Sequence, residues 1–265
     1  MNINKYRFEL LNLKFQNNFI FTLGEVMKKI LFIGLLFIIY SYYIFGIEFP
    51  QRAQNIENFV SENWKILLKE EGDLNGDTLE DVVLLIENTD SDNFFVIESE
   101  FMESHILNFN PRIILILFKE ENGQYHLISK NEKELVPSEN NKDASSLKNS
   151  IDDGIFIGNN ILKVNFSEFI AAASWHLTNI SYTFRYQQNK FQLIGVDYQY
   201  YNGYNGEVEE RSLNLSTNRM ETTSGGNIFF EEEDEPVVTW KDVSPQQIYI
   251  LDEMGLDSYG SILGL

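Results

Sequence analysis

The sequence has no cysteine, five prolines, three histidines and only 20 lysine and arginine residues against 40 aspartate and glutamate. Without cysteine there is no disulfide framework, no thiolate chemistry and no lipid attachment of the lipoprotein kind. A net charge of −20 over 265 residues leaves too few clustered cations to displace counterions from a phosphate backbone, so no nucleic-acid partner is expected. The histidines, His105, His126 and His176, are too far apart for the i, i+2 or i, i+4 spacing of a zinc site and read as strand-packing or surface residues. A nucleophile elbow is missing as well. Gly260-Ser261-Ile262-Leu263-Gly264 places its serine one position early and reads as a tail. What remains is 43% hydrophobic and 14% aromatic, which rules out wholesale disorder.

One long apolar run stands apart from the rest. Lys28-Lys29 precede an uncharged stretch from Ile30 to Ile47, with Met27 directly in front. Basic residues followed by an apolar segment make the first two regions of a secretory signal. Residues 1–26 are accordingly expected to be a mis-called extension, and 27–46 a signal peptide or membrane anchor. Ile44 fits poorly at the −3 position of a cut after Gly46, so an uncleaved single span over residues 28–47 is the alternative to cleavage. Residues 1–46 carry five basic side chains (Lys5, Arg7, Lys14, Lys28, Lys29) against two acidic (Glu9, Glu25), so the remainder is more acidic still, at −23. The expected location is outside the cytoplasm: periplasm, cell surface or medium.

Residues 50–265 read as a single β-rich domain. Ile56, Phe59 and Val60 suggest a short helix at about 52–62, and Ser244-Pro245 opens a second helix through Glu253. Between them lie short apolar or β-branched runs bounded by Gly, Asn and Asp: 64–70, 82–87, 94–98, 112–119, 125–130, 154–157, 161–166, 179–186, 191–198, 210–215 and 219–223. Asn122-Gly123, Asn159-Asn160 and Gln187–Lys190 sit where hairpin turns are needed, and Asn and Gly tolerate the positive φ of tight turns. Tyr182, Phe184 and Tyr186 alternate with Thr183 and Arg185, as a half-buried strand requires. Trp175 is assigned to the core, and 131–150 reads as an exposed loop. The fold class is therefore mainly β: antiparallel hairpins forming a sandwich or a partial, propeller-like meander, with a short helix near each end.

Chemistry concentrates in residues 72–81. Counting from Asp73, oxygen-bearing side chains fall at the first, third, fifth and ninth positions (Asp73, Asn75, Asp77, Asp81), and Leu79 offers its main-chain carbonyl at the seventh. A hard cation such as Ca²⁺ takes about 6–8 oxygens at about 2.3–2.6 Å, which a tightly wound loop with alternate oxygen ligands supplies. Gly76 lets the backbone turn between ligands. The twelfth position is Leu84 rather than Glu, and a strand follows, which sets an EF-hand aside. Such a ligand set saturates the ion with protein oxygens, so the expected role is structural. The alternative is a solvated Asx turn that holds no metal.

The segment Gly72-Asp73-Leu74-Asn75-Gly76-Asp77, with Asp81 four residues on and a buried run after it, resembles the calcium loop of FG-GAP and VCBS-type repeats, over about 15 residues. Such repeats build integrin-like propeller blades and occur in bacterial surface proteins. The chain departs from the pattern at Thr78, where those repeats usually have Gly, and in having one such loop, which argues against a whole propeller. Around it, Trp64-Lys65-Ile66-Leu67, the run Arg112–Leu117, Tyr182–Tyr186 with Phe191–Gly195, and Ser212–Thr217 resemble a wider group of uncharacterised exported bacterial proteins. That group implies no activity.

Other candidates are weaker. Tyr198, Tyr200, Tyr201 and Tyr204, interleaved with Asn and Gly, offer a stacking surface for sugar or peptide, against a plain hairpin end with partly packed rings. Glu231–Glu235 read as a solvated acidic loop. With so many carboxylates, some pair will meet the separation a glycosidase needs by chance, so abundance carries no argument. The expected function is an exported, calcium-stabilised binding or surface domain, with an envelope glycan or protein as partner and no catalysis. A hydrolase of envelope glycans or peptides using paired carboxylates, and a structural periplasmic scaffold, are the alternatives.

Overall fold

The computed structural model describes residues 48–98, 105–140, 147–151, 154–171, 175–230, 236–244 and 247–265. The chain divides into two compact units, Met1–Glu48 and Phe49–Leu265. The expected extension and signal or anchor segment, and the acidic run 231–235, lie outside the described residues. Among the described residues, no helix is long and apolar enough to cross a membrane.

Every strand pairing is antiparallel. The first sheet holds β1 (Arg52–Ala53), β2 (Trp64–Gly72), β3 (Asp81–Asn88), β6 (Arg112–Lys119) and β7 (Tyr125–Asn131), in the order β1-β7-β6-β3-β2. A hairpin of β4 (Phe94–Ile97) and β5 (His105–Asn108) is inserted between β3 and β6. The second sheet is a meander of β10 (Ile161–Ile170), β11 (His176–Gln187), β12 (Lys190–Asn202), β13 (Glu207–Asn214), β14 (Arg219–Asn227) and β15 (Val237–Asp242). Two short strands, β8 (Leu147–Ser150) and β9 (Ile155–Gly158), pair with β10.

The two sheets share one core. Val83, Leu85, Ile114 and Ile116 from the first belong to the same buried cluster as Leu162, Val164, Phe166, Ile180, Tyr182, Phe184 and Val196 from the second. Alternation along β11 produces this: Tyr182 and Phe184 are fully buried and Arg185 between them and Tyr186 is exposed. In β3 and β6 both side-chain sets are buried, so these strands read as unbroken apolar runs rather than alternating ones. The turns follow the residues that suit them. Asn159 and Asn160 have φ of +53° and +58°, Gln188 and Asn189 +53° and +60°, and Gly123 +82°.

The helical expectations shift. Near the start of the domain there is one 3₁₀ turn, Ile56–Phe59, because Arg52 and Ala53 are drawn into a strand against β7, leaving Ile56 and Phe59 to bury as an i, i+3 pair. Near the end, Ile250 bridges Gln192 in β12, Leu251–Glu253 form another 3₁₀ turn, and the only described α-helix, α1, is Ser258–Leu263. Asn131, which is buried, fixes that turn. Its Nδ2 donates to the carbonyls of Leu251 (2.6 Å) and Met254 (2.8 Å), while Oδ1 accepts from the N–H of Lys133 and Leu135. Residues 261–264 thus belong to α1 and its end, and the stretch expected as a 131–150 loop contains β8. Trp175 is 37% exposed, stacked on Phe169, so it is not a core residue.

Candidate metal centre

The 73–81 segment is the loop of the β2–β3 hairpin. Leu74, 1% exposed, anchors it by burying its side chain in the shared core. Asp73 organises the winding: Oδ1 accepts from the N–H of Gly76 (2.6 Å) and Asn75 (3.2 Å), and Oδ2 from the N–H of Thr78 (2.9 Å). Burial pushes the Asp73 carboxyl up, but these donors outweigh it and hold it below the ordinary carboxylate range. Asn75 Oδ1 accepts from the N–H of Asp77 and its Nδ2 donates to Asp77 Oδ2, while Asp77 Oδ1 accepts from the N–H of Leu79.

Positive φ occurs at Gly76 (+85°) and at Thr78 (+71°), the fourth and sixth positions. The sixth is where a metal-binding loop of this spacing ordinarily has Gly for its sharp turn. A β-branched residue is strained there. Thr78 stays because Asp73 holds its N–H, so the winding is over-determined by the first-position carboxylate.

Asp81 is 0% exposed. Oδ2 accepts from the N–H of Leu74 (2.9 Å) and Oδ1 from the N–H of Lys119 at the end of β6 (3.1 Å), so one carboxylate ties the loop to its own sheet. Burial pushes its carboxyl up to about 6, against the pull of those two donors, and the negative charges of Asp77 and Asp73 add to the rise. Two fixed negative charges therefore sit near a third that is reluctant to ionise. That is a place where a cation is favoured.

The donor set is incompletely gathered. Among the described residues, no three Asp, Glu, His or Cys side chains converge as a metal-holding group. All four side chains accept from main-chain N–H groups, and exposed Asp77 and half-buried Asn75 are also hydrogen-bonded to each other. The calcium expectation and the Asx turn share these residues, and the turn's hydrogen bonds are the ones drawn here.

The four tyrosines do not share one surface. Tyr198 is buried and stacked near Tyr259, and Tyr200 donates or accepts at His176 Nδ1 (2.8 Å) beneath a parallel ring stack. Tyr201 points to the opposite face of β12 by strand alternation. Tyr204 is 82% exposed. Other aromatics gather at that end of the sheet instead: Trp175, whose indole lies against Gly203 so closely that a Cβ there would collide, with Phe229 beside Gly206. His126 lies beside Arg52 and Glu120, and His176 packs on Tyr200. The side chain of His105 lies outside the described residues.

Sequence reasoning missed the buried polar group at the far end of β3. Glu87 accepts from Arg112 Nε (2.9 Å), Lys65 Nζ (2.9 Å) and Asn108 Nδ2 (3.1 Å). Burial raises the Glu87 carboxyl, but these three donors together bring it below its usual value. The available signal was an arginine and two asparagines, Arg112, Asn108 and Asn110, interrupting apolar strands. No protein-family model, curated protein or solved structure matches this chain.

Proposed function

We propose that this is an exported, non-catalytic binding domain whose β2–β3 hairpin is fastened by calcium at Asp73, Asn75, Asp77, the Leu79 carbonyl and Asp81. The observation that carries the reading is Asp81: a fully buried carboxylate, tied to both loop and neighbouring strand, with Asp73 and Asp77 close enough to raise its proton affinity. The positive φ at Gly76 and Thr78 gives the winding that alternate oxygen ligands require. When bound, the ion neutralises the local negative charge. The chain's own part is to hold the first and ninth positions with main-chain donors, while Asn75 and Asp77 would exchange the hydrogen bond between their side chains for the ion.

A structural role is supported by the loop's position at a hairpin end and by Asp81, which joins three strands. The binding role rests on the exposed apolar side chains at one end of the second sheet, including Trp175, Tyr204, Phe229 and Phe230. Isothermal titration of the full-length protein with CaCl₂ tests the metal assignment. One binding event per chain is expected, absent in Asp77→Ala. Heats equal to dilution in the wild-type protein would refute it.

A further inference from the structure

β15 is an edge of the second sheet, paired on one side with β14, and among the described residues no strand pairs with its other side. All its residues are exposed, and three are large and apolar: Val237 (58%), Val238 (51%) and Trp240 (56%). Val237, Thr239 and Lys241 lie on one face of the strand and Val238, Trp240 and Asp242 on the other, so both faces stand in water. Arg219 reaches Trp240 from β14, its guanidinium carbon 4.7 Å from the ring centroid. An open edge rich in β-branched and aromatic side chains is a template for another strand.

The pairing with β14 fixes which main-chain groups are left over. Val243 N–H donates to the Asn218 carbonyl (2.9 Å), and Lys241 opposite Met220 and Thr239 opposite Thr222 are in step with it. Alternation therefore turns the N–H and C=O of Val237, Thr239 and Lys241 toward β14 and those of Val238, Trp240 and Asp242 outward. Pro236, directly before the strand, has no N–H to offer.

These groups select one register for an added antiparallel strand of the same sequence. With Trp240 of one copy opposite Val238 of the other, both members of each pair aim N–H and C=O at one another, and on the other face Thr239 meets its own symmetry mate. Aromatic with β-branched and Thr with Thr are favourable cross-strand neighbours, and no like charges stand opposite, since Lys241 faces Val237 and Asp242 faces Pro236. A slip of two residues is worse in either direction: Val238 opposite itself leaves the Trp240 carbonyl facing Pro236, and Trp240 opposite itself sets Asp242 against Val238. We propose that β15 pairs with β15 of a second copy of this chain about a two-fold axis at Thr239, continuing the second sheet from one copy into the other. The open edge and the exposed side chains beside it offer on the order of 1,000 Å² in total, the low end for a specific interface, so the dimer forms at micromolar concentration rather than being obligate.

The chain has no cysteine, so single substitutions report the register directly. In the proposed pairing the two copies of Thr239 form a non-hydrogen-bonded pair with Cα atoms about 4.5 Å apart, inside the span of about 4.4–6.8 Å that a disulfide bridges. The two copies of Val237, like those of Lys241, are four residues out of step and on the order of 13 Å apart, whereas Val237 of one copy faces Lys241 of the other. Full-length variants at micromolar concentration, in EDTA so that the calcium reading does not enter, are oxidised with glutathione disulfide and run on non-reducing gels. Thr239→Cys is expected to give a covalent dimer about tenfold faster or more than Val237→Cys or Lys241→Cys alone, and mixing those two is expected to restore cross-linking. Sedimentation equilibrium of Val238→Pro separates pairing from thiol chemistry: the N–H it removes faces away from β14, so the sheet keeps its own bonds while dimer affinity falls about tenfold or more. A wild-type protein that stays monomeric through the micromolar range, Thr239→Cys that links no faster than the two controls, or unchanged association in Val238→Pro would overturn the proposal and leave the edge to a strand from another protein.

Discussion

Asp81→Asn separates the two jobs of the buried carboxylate. The amide keeps the shape and one acceptor oxygen, but its NH₂ meets a main-chain N–H, so either the Leu74 or the Lys119 donor loses its partner. An orphaned buried donor costs about 1–3 kcal/mol. Charge acts the other way. Burial holds the Asp81 carboxyl at about 6 in the folded chain, against its ordinary value of 3.8. The folded state therefore holds a proton that the unfolded state has released. Stability from this group is complete below the unfolded value and is lost as pH rises through the folded one. Between pH 5 and pH 7.5 the loss amounts to about 1–1.5 kcal/mol, and the asparagine variant is spared it. Urea unfolding in EDTA at the two pH values measures both terms. Asp81→Asn should be the less stable protein at pH 5, with its deficit reduced by about 1–1.5 kcal/mol at pH 7.5. A deficit that grows with pH would mean that the ionised carboxylate is favoured by the fold, and the reasoning would fail.

Three further substitutions test the frame around the loop. Thr78→Gly relieves the positive φ and should stabilise the metal-free protein by about 1 kcal/mol, read as a rise in urea midpoint at constant slope. Arg112→Met leaves Glu87 with only exposed Lys65 and Asn108 for compensation and should cost about 3 kcal/mol. An unchanged urea midpoint would show that the pair contributes nothing net. Asn131→Leu strips the carbonyls of Leu251 and Met254 of their donor and should cost about 2–4 kcal/mol. Limited proteolysis should then cut near residues 247–257 first.

Much of the architecture was legible because turns announce themselves chemically. Asn159-Asn160 and Asn122-Gly123 mark hairpins through the positive φ they tolerate, and Tyr182 and Phe184 declare the buried face of β11 by alternation. The helical ends were less legible. Ile56 and Phe59 have helical spacing, yet tertiary pairing of Arg52 and Ala53 with β7 claimed the backbone before a helix could extend. The C-terminal turn is held by Asn131, more than a hundred residues away, which no local pattern encodes. Trp175 failed as a core residue because it lies at a strand end, where a ring can stack on Phe169 and remain half-exposed. At the loop, the alternate spacing of oxygen-bearing side chains was readable. The clasp between Asp81 and the Lys119 N–H was not, since it depends on β6 lying beside β3.

The central claim is that calcium fastens the Asp73–Asp81 hairpin, and the most direct measurement is the thermal midpoint of the full-length protein in EDTA and in millimolar CaCl₂, beside Asp77→Ala. Mass action requires that an ion bound by the folded chain alone raise the midpoint. The wild-type midpoint should rise with calcium and that of Asp77→Ala should not. Superimposable wild-type curves in the two buffers would contradict the account and leave the segment as a hydrogen-bonded turn.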